Sequence, residues 1–148
     1  MAYTNALSAY RETRIKTASQ GQLIIMLYDE AIKQLDHSLD IMSKNRSGRQ
    51  NPGSIEAVGK GILKTQEIIT ELMVSLDFDQ GGEIAKNLFS LYSWFNQQLL
   101  EANISHDVRR VLIVRNQIND LRGAWTETVA KNTVDMRGRA EAGINIAG

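Results

Sequence analysis

Apolar residues recur at steps of three and four positions in four separate segments, which is the spacing of one face of a helix. The apolar stripes cover residues 24–42, 55–76, 84–99 and 111–129, so Ile55 and Ile84 count as core positions. Helices of about 20 to 25 residues would each be about 30 to 38 Å long. Joined by short loops, they predict an all-α fold, an antiparallel four-helix bundle.

Polar breaks separate the four predicted helices. The loop at 43–53 contains Pro52, the single proline of the chain, a second break lies at 77–82, and a third, weaker break lies at 103–105. A short polar side chain before a helix can accept hydrogen bonds from the free N–H groups of the first turn. The predicted N-caps are Ser19 with the capping box Ser19-Gln20-Gly21-Gln22, Ser54, Asp79, and either Ser105 or Asp107.

The two ends of the chain lie outside the stripes. Residues 1–18 are polar, with Leu7, Tyr10 and Ile15 at partial helical spacing, so we expect an N-terminal arm or short helix packed on the bundle of residues 19–130. Residues 131–148 are rich in small and polar residues and have no stripe. This composition predicts a flexible C-terminal tail.

The composition excludes several classes of protein. Lysine plus arginine and aspartate plus glutamate both number 17, and there is no cysteine, which excludes disulfide and thiolate sites. The sequence pI of about 6.7 argues against a general nucleic-acid binder. There is no run of the roughly 18 apolar residues that a membrane span needs, and the N-terminus lacks the pattern of a secretory signal. These features suit the cytosol.

Motifs for catalysis or metal binding are missing. His37 and His106, the latter expected in the first turn of the fourth helix, lack the partners of a zinc or di-iron site. The segment 77–82 resembles the start of a calcium loop, but Leu88 stands where the chelating glutamate is required. The sequence contains neither a phosphate-binding glycine loop nor a nucleophile elbow. We therefore expect that the protein is not an enzyme and binds neither a metal nor a cofactor. The alternative is an enzyme or a metal protein with the fold of a helical bundle.

The chain carries more large apolar residues than one stripe per helix requires. A contiguous exposed apolar patch on a small protein usually marks a partner site, and an amphipathic helix often fills such a groove. The alternative is that a wide stripe fills the margin of the core. The residues outside the stripes are Leu23, Met26, Ile41, Leu63, Ile68, Val74, Phe89, Trp94, Leu100, Ile104 and Ile113.

Several segments in fixed order resemble the flagellar secretion chaperone (FliS) family. They lie at 10–32, which contains T-A-S-x-G-Q-L-I-x-M-L-Y-D, at 75–92 with S-L-D-x4-G-E-I-A-x-N-L, at 99–104 and at 121–125. The resemblance therefore runs over most of the chain. Gln20 stands where the family usually has a proline, and the loop around Pro52 is longer than usual.

The resemblance implies a four-helix bundle that acts as an export chaperone in the cytoplasm. It implies binding of the disordered C-terminal segment of flagellin, which prevents premature polymerisation and assists delivery to the flagellar type III export apparatus. Export-gate components and flagellar regulators are further expected partners. We expect neither binding to nucleic acid nor insertion into a membrane. The same apolar surface could form a homodimer. The alternative is a general helical adaptor with a different client.

Two sets of residues are the candidate site. The predicted client-binding residues are Leu63, Ile68, Val74, Phe89, Leu100 and Ile104. The predicted N-terminal gate consists of Leu7, Tyr10 and Ile15, which would cover a groove until a client displaces them. A fixed helical cap is the alternative for the N-terminal segment.

Overall fold

A computed structural model of the protein describes the backbone of residues 20–44 and 51–147, and the side chains of these ranges as far as residue 131. The described residues form four helices: α1 (Gln20–Lys44), α2 (Pro52–Val74), α3 (Phe78–Ser105) and α4 (Val108–Ala147). The prediction of an all-α fold with four helices is confirmed. The predicted arm, with Leu7, Tyr10 and Ile15, and the cap Ser19 lie outside the described residues.

The four helices form a ring around one core. Helix α1 packs against α2 and α4, and α3 packs against the same two helices from the other side. Two ion pairs set the register between α1 and α4: Arg115 Nε lies 2.8 Å from Asp36 Oδ1, and Arg122 pairs with Asp29. Moving seven residues back along α1 moves seven residues forward along α4, so these helices are antiparallel.

The core is built from aromatic and branched side chains supplied by all four helices. The largest side chains with almost no solvent exposure include Tyr28, Tyr92, Phe95, Leu35, Ile62, Ile69, Leu99 and Ile118. Burying a side chain of this size contributes about 1.5 to 3 kcal/mol relative to leaving it in water. The apolar stripes therefore hold the bundle together.

Helices α1 and α2 approach each other closely where small residues meet. A Cβ at Gly61 would overlap Ser38 Oγ and would lie 3.0 Å from the Gln34 carbonyl oxygen. Ser38 Oγ instead donates a hydrogen bond to the Val58 carbonyl oxygen at 3.1 Å, and Thr65 Oγ1 donates to Gly61 O at 2.9 Å. This contact needs the absence of a side chain at Gly61.

The close contact explains one wrong prediction. Gly61, Thr65, Ile68 and Leu72 follow each other at steps of four, three and four residues, and all are buried. Glycine and threonine do not register as apolar positions, so the stripe of α2 is wider toward α1 than the pattern shows. Ile68 is 0% exposed and belongs to the core, which contradicts its assignment to an outer groove.

Three other expectations about single apolar residues are also wrong. Leu23 is 1% exposed, because α1 buries one more turn at its start than its predicted stripe includes. Ile55 and Ile84 are exposed instead of buried. Ile55 lies in the first turn of α2, and Ile84 lies two residues after a kink in α3 at Gly82, so neither keeps the orientation that the stripe predicts.

The helix caps differ in part from the predicted ones. Asn51, not Ser54, caps α2: its side chain accepts a hydrogen bond from the Ser54 N–H, and Pro52 is the first helical residue. Proline is favoured there because its fixed φ suits the helix and the position needs no donor. Asp77, not Asp79, caps α3 by accepting from two backbone N–H groups.

The turn between α3 and α4 is compact. Asp107 Oδ1 accepts a hydrogen bond from the Arg109 N–H at 3.0 Å, which confirms one of the two predicted caps of α4. His106 ends α3 as its C-cap with φ of 56°, instead of lying in the first turn of α4. The exposed His37 lies on the surface of α1, as predicted.

Helix α3 contains a kink at Gly82, whose backbone has φ 50° and ψ −126°. Residues with a Cβ rarely adopt a positive φ, so glycine is the residue that permits this conformation. The predicted break at 77–82 is therefore a capped first turn followed by a kink.

The last helix is longer than the stripe indicated. The pattern ends near residue 130, whereas α4 continues to Ala147. No proline occurs after Pro52, and helix formation is not interrupted by a missing N–H donor. The division into arm, bundle and flexible tail stays a prediction.

Candidate functional site

Most of the surplus apolar residues lie on the surface of the bundle. Five of the six predicted client-binding residues are 42% to 74% exposed: Leu63, Val74, Phe89, Leu100 and Ile104. Trp94 and Ile113 are exposed as well, while Met26 and Ile41 are half-buried. The bundle therefore presents large apolar side chains that its own core does not use.

Four of these residues flank the outer side of the contact between α2 and α3. Gln66 Nε2 donates a hydrogen bond to the Asn96 carbonyl oxygen at 3.2 Å, and a Cβ at Gly59 would lie 3.5 Å from Asn103 Oδ1. These two contacts show that α2 and α3 run antiparallel. Two residues at the same level along the helices, one from each, have numbers that add to 162. Leu63 therefore lies at the level of Leu100 along the helix axes, within about one residue's rise of 1.5 Å.

The same register places Val74 beside Phe89. Leu63 and Val74 are 11 residues apart on α2, and so are Phe89 and Leu100 on α3. Eleven residues are three helical turns plus about 20°, or about 16 Å along the axis, so each helix presents its two apolar residues on one face. We name this surface the α2–α3 groove; its apolar ends are Leu63 with Leu100 and Val74 with Phe89.

The kink in α3 enlarges one apolar end. The Phe78 and Phe89 rings contact edge to face, with centroids 5.9 Å apart and an interplanar angle of 62°. In a straight helix these residues would be about 16 Å apart, so the bend at Gly82 brings Phe78 back over Phe89. Phe78 is 45% exposed and adds a second aromatic ring to this end of the groove.

Polar side chains occupy the middle of the α2–α3 groove. On α3, Ser93 and Asn96 lie between Phe89 and Leu100 at steps of four, three and four residues, which keeps all four on one side of the helix. Asn96 Nδ2 donates to Thr70 Oγ1 on α2 at 3.4 Å. The groove is thus apolar at both ends and polar between them.

A second concave feature lies at the end of the bundle where α1 begins and α2 ends. This cleft has a volume of about 590 Å³. Its apolar lining consists of Ile24, Leu72, Leu76, Ile84, Ala85, Leu88, Tyr92 and Trp125, and its polar lining includes Gln20, Ser75, Asp77 and Gln80. Gln20, the first residue of α1, is part of this lining.

Two buried tyrosines form the polar contact beneath the cleft. The hydroxyl oxygens of Tyr28 and Tyr92 are 2.6 Å apart and share a hydrogen bond. Burial raises the pKa of Tyr28 and the pKa of Tyr92 above the usual value of tyrosine. Both hydroxyls are therefore neutral donors and acceptors and offer no charge to a ligand.

The structure therefore brings Leu63, Val74, Phe89 and Leu100 together and removes Ile68 from the set. Ile104 lies one turn beyond Leu100 at the end of α3. The gate residues Leu7, Tyr10 and Ile15 lie outside the described residues. Sequence reasoning missed Phe78, because 77–82 reads as a loop; the signal that could have found it is the aspartate before it, which caps a first helical turn.

The part of the chain that the structure describes lacks two further kinds of feature. It contains no group of three or more histidine, cysteine, aspartate or glutamate side chains placed to hold a metal ion. Among its helices, none combines the length and hydropathy that crossing a bilayer requires.

Comparisons with a family model and with known proteins point to the same family. The family model described as flagellar protein FliS matches residues 3–132. The flagellar secretion chaperone FliS of Escherichia coli (strain K12) is 33% identical over 120 residues, covering 80% of this chain and 82% of that protein. The proteins of the same name from Salmonella typhimurium (31% identical over 121 residues; 81% of this chain, 84% of that one) and Bacillus subtilis (26% over 138 residues; 93% and 96%) are also similar. The chain belongs to the flagellar secretion chaperone FliS family.

Proposed function

We propose that this protein binds the disordered C-terminal segment of flagellin on the outside of its helical bundle, with the α2–α3 groove as part of the binding surface. The observation that carries the proposal is the set of exposed apolar residues at the two ends of the groove, in a chain whose relatives are named flagellar secretion chaperones. A groove between two helices suits an amphipathic helix as its ligand.

Binding to this protein would replace contacts that the flagellin segment otherwise makes with other flagellin chains. A disordered amphipathic segment cannot bury its apolar stripe alone, and ordering it costs several kcal/mol. A long contact over two apolar ends about 16 Å apart offsets that cost better than one small pocket would. Covering the stripe keeps it from pairing with other flagellin chains before export.

The proposed role is binding and delivery, without catalysis. The chaperone would act in the cytoplasm, hold flagellin in a form that cannot polymerise, and bring it to the flagellar type III export apparatus. The protein offers a surface whose apolar side chains stay in place when no client is bound, because the separate core beneath them holds the helices.

The N-terminal segment is proposed as a gate for this surface. Gln20 lines the cleft at the end of the bundle, so the preceding residues start from its rim. Leu7, Tyr10 and Ile15 are spaced to place apolar side chains against a groove. If they compete with the client, deleting residues 2–15 raises client affinity; unchanged or weaker binding would indicate a fixed cap.

The experiment that tests the proposed function is calorimetric titration with a synthetic peptide of the flagellin C-terminal segment. The test variant carries Leu63→Asp and Phe89→Asp, one substitution at each apolar end. The control variant carries Gln97→Asp and Asn119→Asp, which place the same new charges on exposed positions outside the groove. We expect binding to be lost only in the test variant, with both variants melting close to the wild type.

Two results would contradict the proposal. The first is a wild-type protein that does not bind the flagellin peptide, in which case the groove serves another client. The second is a test variant that binds as well as the control, in which case the client lies elsewhere on the bundle. A peptide of the same composition in scrambled order separates specific binding from general affinity for apolar segments.

A further inference from the structure

The middle of the α2–α3 groove contains acceptor atoms that have no donor. Asn96 Oδ1 and Glu67 Oε2 are both shielded from solvent, and neither receives a hydrogen bond from any of the described residues. Glu67 lies four residues after Leu63 and seven before Val74, on the face that carries both. By the register of the two helices, Glu67 is at the level of Asn96.

The hydrogen-bond network fixes which atom of the Asn96 amide lacks a partner. Thr70 Oγ1 donates its proton to the Gln66 carbonyl oxygen at 2.8 Å, so the same oxygen can only accept from Asn96. The nitrogen of the amide therefore points to Thr70 at 3.4 Å. The carbonyl oxygen of the Asn96 side chain is the atom left without a partner.

The neighbouring polar side chains in the middle of the groove donate to backbone carbonyl oxygens. Gln66 Nε2 donates to the Asn96 backbone carbonyl, and Ser93 Oγ donates to the Phe89 carbonyl at 2.9 Å. The two shielded atoms left without a partner are both acceptors, and one of them belongs to a carboxylate. A shielded acceptor without a donor is destabilising, because its lost hydration is not replaced by a hydrogen bond.

We infer that the segment that fills the α2–α3 groove carries a side chain with N–H donors (Arg, Lys, Asn or Gln) between two apolar residues about three helical turns apart. Glu67 and Asn96 accept the hydrogen bonds of that side chain. Both residues are only half-buried, so their head groups can turn toward a ligand. Because these acceptors are already shielded, a donor that reaches them displaces little water. The inference rests on the proposed function and names the chemistry of the same site.

The test uses the full-length protein and the synthetic peptide of the flagellin C-terminal segment. Glu67→Met and Asn96→Leu each remove the acceptor while keeping the size of the side chain, and Gln97→Leu is the matched control on an exposed face of α3. In the peptide, each Lys or Arg is replaced by Met and each Asn or Gln by Leu, one at a time. Binding constants are measured for every pair.

We expect Glu67→Met and Asn96→Leu each to weaken peptide binding at least fivefold, and Gln97→Leu to leave it unchanged. One of the peptide substitutions should weaken binding to the wild-type protein about tenfold. The same substitution should weaken binding to one of the two acceptor variants very little, which in a double-mutant cycle indicates a direct contact. Glu67→Met should not unfold at a lower temperature, because it removes an unpaired acceptor from the free protein. Asn96→Leu also removes the hydrogen bond to Thr70 Oγ1, so Glu67→Met is the variant in which binding and stability separate most clearly.

Two results would overturn the inference, and they are distinguishable. If both acceptor variants bind the peptide as tightly as the wild type, while Leu63→Asp with Phe89→Asp abolishes binding, the client fills the groove without such a donor and the proposed function stands. If the wild type does not bind the peptide, the proposed function and this inference fail together.

Discussion

At the scale of single residues, the buried Tyr28–Tyr92 pair couples the stability of the protein to pH. Burial is the main cause of the raised pKa of both tyrosines. In the unfolded chain a tyrosine loses its proton at about pH 10, whereas in the folded protein it stays protonated to higher pH. The folded state therefore binds more protons than the unfolded state above that pH, and the stability falls as the pH rises.

We predict that the free energy of unfolding is independent of these tyrosines below about pH 10 and decreases above it by up to about 1.4 kcal/mol per pH unit for each tyrosine. Denaturant titrations between pH 8 and about pH 11 measure the slope. The variant with Tyr28→Phe and Tyr92→Phe is the control, because lysines titrate in both proteins. Equal slopes in the two proteins would contradict the prediction.

Leu63 and Ile68 show how far the sequence determines the site at this scale. Both lie outside the predicted stripe of α2, yet Leu63 is 54% exposed and Ile68 is fully buried. The phase of a helix follows from its packing partners as well as from its apolar residues, and here Gly61 lets α1 approach α2 closely on the side that carries Ile68. Exposure of Leu63, Val74, Phe89, Leu100 and Ile104 was predictable from spacing alone.

Alanine substitutions separate these two positions. We expect Ile68→Ala to lower the free energy of unfolding by about 2 to 5 kcal/mol, the usual cost of emptying a packed site. Leu63→Ala should change it by less than about 0.5 kcal/mol, as at most surface positions. Urea unfolding of both variants measures the difference. Similar losses at the two positions would mean that Leu63 belongs to the core.

At the scale of helices, Gly82 determines the shape of the start of α3. Its positive φ permits the kink that returns Phe78 to Phe89. The sequence shows a break at Gly81-Gly82, and this much was predictable. The sequence does not show which of the two glycines takes the positive φ, or that a helical turn precedes the break. Both depend on the cap at Asp77 and on packing against the end of α2.

Two glycine-to-alanine substitutions test the role of the backbone at Gly82. A Cβ at Gly82 or at Gly123 meets no atom within 4 Å, so neither substitution causes a clash. Gly82→Ala should cost about 1 to 3 kcal/mol of stability through its strained backbone. Gly123→Ala, inside α4, should instead add about 0.5 to 1 kcal/mol. Equal effects on the free energy of unfolding would show that α3 can straighten without cost.

At the scale of the whole molecule, the chain separates its apolar residues into a core and an outer surface. The four helices, their antiparallel order and the surplus of apolar residues could all be predicted from periodicity, length and the scarcity of proline. The arrangement of the groove could not, because the alignment of Leu63 with Leu100 depends on the register between α2 and α3. Polar contacts such as Gln66 to Asn96 set that register, and no sequence pattern marks them.

The same separation determines how the protein should respond to its client. A client helix that covers the groove removes apolar surface from water on both chains, whereas the core keeps its packing. Burial of apolar surface lowers the heat capacity. Binding through ion pairs on the surface would leave the heat capacity nearly unchanged.

The measurement that tests the central claim most directly is the temperature dependence of the binding enthalpy for the flagellin C-terminal peptide. Titrations at four or more temperatures give the heat-capacity change of binding. If the exposed apolar residues receive a folding helix, the change is strongly negative, on the order of −0.3 kcal/mol per kelvin. Tight binding with a heat-capacity change near zero would contradict the account.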